Sequence, residues 1–352
     1  MKNVALLFCF IFLLTSAGCA QHPIAKITVH AVNQDGKPIN DVEIEAAFLY
    51  GHEESIKAYP TDDGYVTFES PVLAYAVVSH SSPYHPIWNP GVDKYYSTLI
   101  LYEFTNFAEN VKDGKWMPWN PTIELVLKER LNPIAMYASD EKTEIKIPLL
   151  NQWIGYDFEK DDWVAPYGVG SYSDIEVFYQ WDGQIGRNYK GSTLMLRFPD
   201  QQAGCYQFQF AYDRFGRSQS SFRSPYNANP NETYSSELIF PTILESVPDP
   251  INIGKEKKVF KSTKFANGTG YIFRTRTVVD ENGELINAQY GKLYPPSGNL
   301  VTRFSNGKAL LHLHYYLNPT ENDTNLEYDP KHNLFMDKVK PSERWKYQNI
   351  AP

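Results

Sequence analysis

Four groups of residues in this chain have types and spacings that could do chemistry. Asp157-Phe158-Glu159-Lys160-Asp161-Asp162-Trp163 sets four carboxylates beside aromatics. A glycoside hydrolase needs that chemistry, with one carboxylic acid protonating the leaving oxygen and a second carboxylate across a cleft attacking or activating water. The separation across a cleft is not written in a sequence, and the stretch reads as a solvated turn. His312 and His314 alternate on an expected strand, so their side chains leave one face and could share a metal. A catalytic zinc needs three protein ligands, and no third stands nearby. Between Asn318 and Asn333 lie Glu321, Asn322, Asp323, Asn325, Glu327 and Asp329, hard oxygen donors dense enough for calcium. The EF-hand order and its central Gly are missing, and Asx side chains cap turns without any metal. Cys205, in the alternating run Gly204-Cys205-Tyr206-Gln207-Phe208-Gln209-Phe210, has no basic neighbour to activate it and reads as a buried, inert thiol. No catalytic, cofactor-binding or metal-ligating residue is therefore assigned, with calcium at 318–333 the one cofactor to test.

Aromatic rings offer a second kind of chemistry, since they present large apolar area at small entropic cost to sugars or protein partners. Trp88, Trp116, Trp119, Trp163, Tyr167 and Trp181 fall in or beside expected loops, where they contact a ligand or plug the ends of the sheets. Trp116 and Trp119 are the ligand-contact candidates, because Pro118 stiffens Trp116-Met117-Pro118-Trp119 and lowers the entropy lost on binding.

The elements that must position these residues are strands. An aromatic share of 15% with 24 Pro and 21 Gly favours short strands and turns over helices, and no run of ten or more residues holds a helical period. The expected fold is all-β, two β-sandwich domains after a signal, with residues 1–18 the signal peptide, 19–130 an Ig-like sandwich and 131–352 a second β-rich domain; Asn132-Pro133 marks the boundary. Ile24–Val32, the turn Asp35-Gly36-Lys37-Pro38-Ile39, a strand over 42–46, then Thr61-Asp62-Asp63-Gly64-Tyr65-Val66-Thr67-Phe68 resemble the carboxypeptidase-regulatory or transthyretin-like modules of bacterial envelope proteins. That resemblance implies a spacer or docking unit and brings no catalytic residues. Asn132 to Ala138, Gly155 to Phe158 with Asp162 to Gly168, and Tyr316 to Pro319 with Asn325 to Asp329 look like segments of uncharacterised bacterial lipoproteins, which implies an envelope role.

The N-terminus agrees. Lys2, the apolar run Val4 to Leu14 and the small residues Thr15 to Gly18 form an export signal whose apolar core is too short to span a bilayer. Ser16-Ala17-Gly18-Cys19 resembles the bacterial lipobox, with Ser16 where an aliphatic residue is usual; the resemblance implies cleavage before Cys19 and acylation of its sulfur. Ala20 in place of Asp then implies the outer membrane. The formal charge of −8 makes nucleic acid a poor partner. The expected protein is a lipid-anchored envelope protein that binds or scaffolds, with a glycan or an envelope protein as partner, and the competing class is a carbohydrate hydrolase. Cys19→Ala should leave the precursor uncleaved or release the body into the soluble fraction, read by fractionation and fatty-acid labelling; unchanged membrane retention would refute lipidation.

Overall fold

The computed structural model describes residues 22–49, 55–72, 75–79, 94–95, 99–104, 110–140, 145–182, 191–209, 225–248, 256–262, 269–294, 300–304, 306–348 and 350. The signal segment, Cys19 and Trp88 lie outside them. The first nine strands are β1 (Ile24–Val32), β2 (Ile44–Leu49), β3 (Ser55–Ala58), β4 (Tyr65–Pro71), β5 (Tyr75–Ser79), β6 (Leu99–Glu103), β7 (Val111–Lys112), β8 (Lys115–Trp116) and β9 (Thr122–Val126). One sheet runs β4-β1-β8-β7, with β9 also joined to β1, and the other runs β3-β2-β5-β6. Alternation in β1 aims Ala25, Ile27, Val29 and Ala31 inward, where they share one core with Phe68, Leu125, Ile44, Phe48 and Val78. The expected tight turns are present, with Gly36 at φ 78° and Gly64 at φ 82°. Gly64 is required twice over, since a Cβ there would also lie 2.6 Å from the Ala31 carbonyl oxygen.

The chain continues through β10 (Ile134–Ser139), β11 (Ile145–Lys146), β12 (Trp153–Asp157), β13 (Asp162–Trp163), β14 (Ile175–Gln180), β15 (Ser192–Arg197), β16 (Gly204–Gln209), β17 (Glu237–Pro248) and β18 (Glu256–Ser262). It ends with β19 (Thr269–Val279), β20 (Leu285–Tyr294), β21 (Val301–Arg303), β22 (Ala309–Leu311), β23 (His314–Asn318) and β24 (Tyr328–Asn333). Two six-stranded sheets, β16-β19-β20-β23-β10-β24 and β13-β12-β14-β15-β17-β18, share a large aromatic core, and a three-stranded sheet β11-β22-β21 closes it. Leu334–Asp337 and Pro341–Lys346 form short 3-10 turns and strands dominate the described residues, so the protein is all-β.

The β16–β24 sheet is covered on both faces. Tyr271 and Phe273 enter the shared core, while Ile272, Tyr290, Tyr294, Tyr316 and Tyr328 build a second core behind it. β19 accordingly buries seven residues in succession, Thr269 to Thr275, where a one-sided strand would alternate. Part of the Ser-, Asn- and Pro-rich region near 215–235, which reads as a loose excursion, covers this second face. Ala228 packs in that core, Arg274 donates to Pro230 O at 3.1 Å, and Ser235 bridges to Cys205. Residues 210–224 lie outside the described set.

A buried charge cluster fastens the two large sheets. Past Thr275 the ladder shifts register and Arg276 takes a left-handed φ of 51°. Its Nε donates to Asp174 at 2.8 Å, one terminal nitrogen to Asp157 at 3.0 Å and the other reaches Glu159 at 2.8 Å. Asp174 also accepts from Phe158 N and Thr275 Oγ1. Removing one partner of such a cluster leaves buried charge uncompensated, at a cost of about 3–5 kcal/mol. Arg276→Met should therefore lower the unfolding free energy measured by urea titration by an amount in that range, and Arg276→Lys should recover only part of it because an ammonium cannot reproduce the planar fork. A variant as stable as the parent would show that the cluster does not fasten the sheets.

Candidate functional site

The same alternation that fills the N-terminal core puts Lys26, Thr28 and His30 of β1 on the outer face, opposite Glu69, Thr67 and Tyr65 of β4. Each pair touches. Lys26 and Glu69 form an ion pair at 3.1 Å, the Thr28 and Thr67 hydroxyls lie 2.9 Å apart, and the His30 and Tyr65 rings stack with centroids 4.2 Å apart. On the other side of β1, β9 brings Thr122 beside Thr28 and Glu124 beside His30. The Thr28 hydroxyl also donates to Asn120 Oδ1 at 2.9 Å, holding the 117–121 segment against the sheet. At the Lys26 end lies the half-buried Trp119, with Lys115 Nζ 4.7 Å and Lys26 Nζ 5.8 Å from its ring centroid. This face therefore carries aromatic rings at both ends, hydroxyl and amide groups between them, and cations at one end.

The two tryptophans expected to act together are separated. Trp119 is on the outer face, but Trp116 is only 5% exposed and belongs to the core, with its indole N–H donating to Val72 O at 2.8 Å. Trp116 points inward because it follows the outward-facing Lys115 on β8, so it presents no surface to a ligand. Trp163 and Trp181 are core residues as well, and Tyr167 is exposed. The outer-face set was missed in the sequence except for Trp119, although the period-2 alternation of β1 and β4 carried the signal.

The other candidate groups are committed to structure. The acidic stretch is not simply a solvated turn: Asp157 pairs with Arg276, and Asp161 is half-buried beneath a ring of hydroxyl groups. Asp161 accepts from the hydroxyls of Tyr156, Tyr315, Tyr347 and Ser139 at 2.8, 2.8, 2.9 and 3.1 Å. Burial raises its pKa, and those four donors oppose the rise. The two histidines do not share a strand, because the expected run breaks between β22 and β23. His312 bonds Thr302 Oγ1 and His314 bonds Tyr316 Oη, each at 2.9 Å. Among the described residues, no three His, Cys, Asp or Glu side chains gather as metal ligands. In the 318–333 segment, Asn318 Nδ2 donates to Asp323 O, Asp323 Oδ2 and Asn325 O, while Asn325 Nδ2 donates to Asn132 O. Glu327 accepts from the backbone of Leu131 and Asn132. Cys205 is buried in the shared core, and burial pushes its thiol pKa up to about 12.

Two buried lysines had no signature in the sequence. Lys128 lies with Nζ 4.8 Å from the Tyr226 ring centroid, and burial lowers its pKa to about 8, partly offset by Glu327. Lys292 Nζ has no hydrogen-bond partner among the described residues and sits 4.6 Å from the Tyr316 centroid, its pKa pushed well down by burial.

No protein-family profile matches the chain, and no curated protein matches it in sequence. Among solved structures it is similar to a DUF3823 family protein from Parabacteroides merdae, at 9% identity and TM-score 0.20 over 84% of this chain and 96% of that one. It is similar to a streptococcal ancillary pilin at 9% identity and TM-score 0.20, over 87% of this chain and 62% of the pilin. A candidate carbohydrate-binding protein from Bacteroides uniformis aligns at 11% identity and TM-score 0.18, over 86% of this chain and 99% of that one. Likeness at this level gives neither a family nor a function.

The lysine pKa values set a pH dependence. Both lysines lose their protons at lower pH in the folded chain than in the unfolded one. From about pH 8 towards the ordinary lysine range, the unfolded state therefore binds more protons, and stability should rise with pH. The urea midpoint should climb between about pH 8 and 9.5, below the range in which unfolded tyrosines ionise, the two lysines outweighing the Cys205 thiol, which ionises there in the unfolded chain alone and pulls the other way. Lys128→Met should flatten the climb, and a parent midpoint that falls across that window would refute the assignment. Trp116→Ala should cost about 3–5 kcal/mol, as for a core aromatic, and Trp119→Ala much less.

Proposed function

We propose that this chain is a bacterial envelope lipoprotein, anchored through acylated Cys19 in the outer membrane and facing the periplasm, that binds a glycan or an envelope protein and acts beside glycan-processing machinery. The observation that carries the binding reading is the outer face of the first sheet, where Trp119 and the His30–Tyr65 stack flank a row of hydroxyl and amide groups. Rings separated by short polar side chains suit a ligand with apolar and hydroxylated surfaces. The hydrolase reading loses the acidic stretch as support, because Asp157 and Glu159 pair with Arg276, Asp161 accepts from tyrosine hydroxyls and Asp162 from the backbone of Trp163 and Val169. Trp119 alone takes the ligand-contact role first given to both tryptophans.

The test is an array of envelope polysaccharides together with a pull-down from membrane extract, using the parent chain and Trp119→Ala. Loss of retention on substitution, with an unchanged melting temperature, is the expected result. Equal retention by both proteins would remove the outer face from the function. Release of reducing sugar by the parent would favour the hydrolase.

A further inference from the structure

Three lysines gather at the Trp119 end of the outer face, and their arrangement has an electrostatic cost in the free protein. β7 and β8 pair in a register that sets Lys112 directly opposite Lys115, both exposed. Like charges directly opposed across strands destabilise the pair. Lys115 then converges with Lys26 on a single indole ring. The ring's negative face attracts each ammonium and so holds together two cations that repel each other. Lys26 has Glu69 as counter-ion, whereas neither Lys112 nor Lys115 has a carboxylate partner among the described residues. The nearest acid in sequence, Asp113, is exposed in the turn between them. A local excess of positive charge thus stands on a chain whose formal charge is −8.

We infer that this end of the outer face is a clamp for the carboxylate or sulfate groups of an acidic polysaccharide. The inference rests on the binding reading above and names the ligand class for that face. An anionic group set between Lys26, Lys112 and Lys115 relieves their repulsion and gains three charge-assisted contacts. From there the chain of sugars runs along β1 past Thr28, Thr67, Asn120 and Thr122, whose hydroxyl and amide groups meet its hydroxyls. It reaches the His30–Tyr65 stack after four residues of strand, about 14 Å at the usual strand rise. Glu124 stands beside His30 at the far end, so the lysines set the polarity of the clamp at the Trp119 end.

Polygalacturonate and its fully methyl-esterified form share a backbone and differ in charge, so they separate this inference from the broader one. The purified chain should bind polygalacturonate at least tenfold more tightly than the ester, and binding should weaken as salt screens the lysines. Lys115→Gln and Trp119→Ala should each weaken it about tenfold with unchanged melting temperatures, Lys115→Arg should retain it, and Trp345→Ala, an exposed aromatic elsewhere on the protein, should leave it unchanged. Equal affinity for acid and ester would overturn the acidic clamp while leaving a glycan-binding face in place. No affinity for either polymer would overturn the clamp, with the pull-down of Trp119→Ala still deciding the broader reading. Binding to vesicles of anionic phospholipid in preference to polygalacturonate would also overturn it, in favour of a membrane contact.

Discussion

Arg276 has to leave its ladder, in a backbone conformation unusual for a long side chain, to reach three carboxylates on the facing side of the molecule. The geometry of the C-terminal region depends on that reach. Asp157 ends β12, Asp174 precedes β14, and Arg276 comes from β19 of the other large sheet, so the cluster fixes how the two sheets face each other. A few residues away, Asp161 anchors hydroxyls from β10, β12, β23 and the C-terminal segment at one half-buried carboxylate. Both clusters draw on the segment from 157 to 174, which ties the two large sheets together.

The N-terminal sandwich is built under a different constraint. Its first sheet buries one face only, so every second residue of β1 and β4 is released from packing and can carry polar or aromatic groups. The sheet from β16 to β24 has no such freedom, since both faces are covered and its tyrosines and Lys292 are enclosed. One-sided burial is therefore what leaves this molecule a surface to offer a ligand, and the three cross-strand pairs on it are already ordered by mutual contact, which reduces the side-chain entropy lost on binding.

Legibility in the sequence followed the same division. Strand, Asp-Gly turn and alternation in Ile24 to Phe68 are local signals, and the structure matches them. The alternation of Cys205 against Tyr206 and Phe208 was legible for the same reason, placing the thiol in one core and Phe208 in the other. The acidic stretch was misleading because the residue that turns it inward, Arg276, is more than a hundred positions away in the chain. His312 and His314 were misplaced by a strand break that no glycine or proline announces. Trp116 and Trp119 looked alike in a loop, and only the register of the two-residue strand β8 distinguishes the inward ring from the outward one. Nothing local marks Lys128 or Lys292 as buried, since a lysine in an alternating strand ordinarily faces water.

The proposed anchor and the outer face are also linked by chain length. Cys19 precedes Ile24, the first residue of β1, by five positions, which span at most about 17 Å when fully extended. The Trp119 end of the face lies at the start of β1, beside Lys26. An acyl group on Cys19 would thus tether that end within about 2 nm of the lipid surface, at a height set by four intervening residues. The same short tether brings Lys26, Lys112 and Lys115 close to anionic headgroups, whose attraction falls away within a Debye length. Polysaccharide and membrane would therefore compete for the same three charges, and occupancy of the clamp would govern how closely the first sheet lies against the lipid.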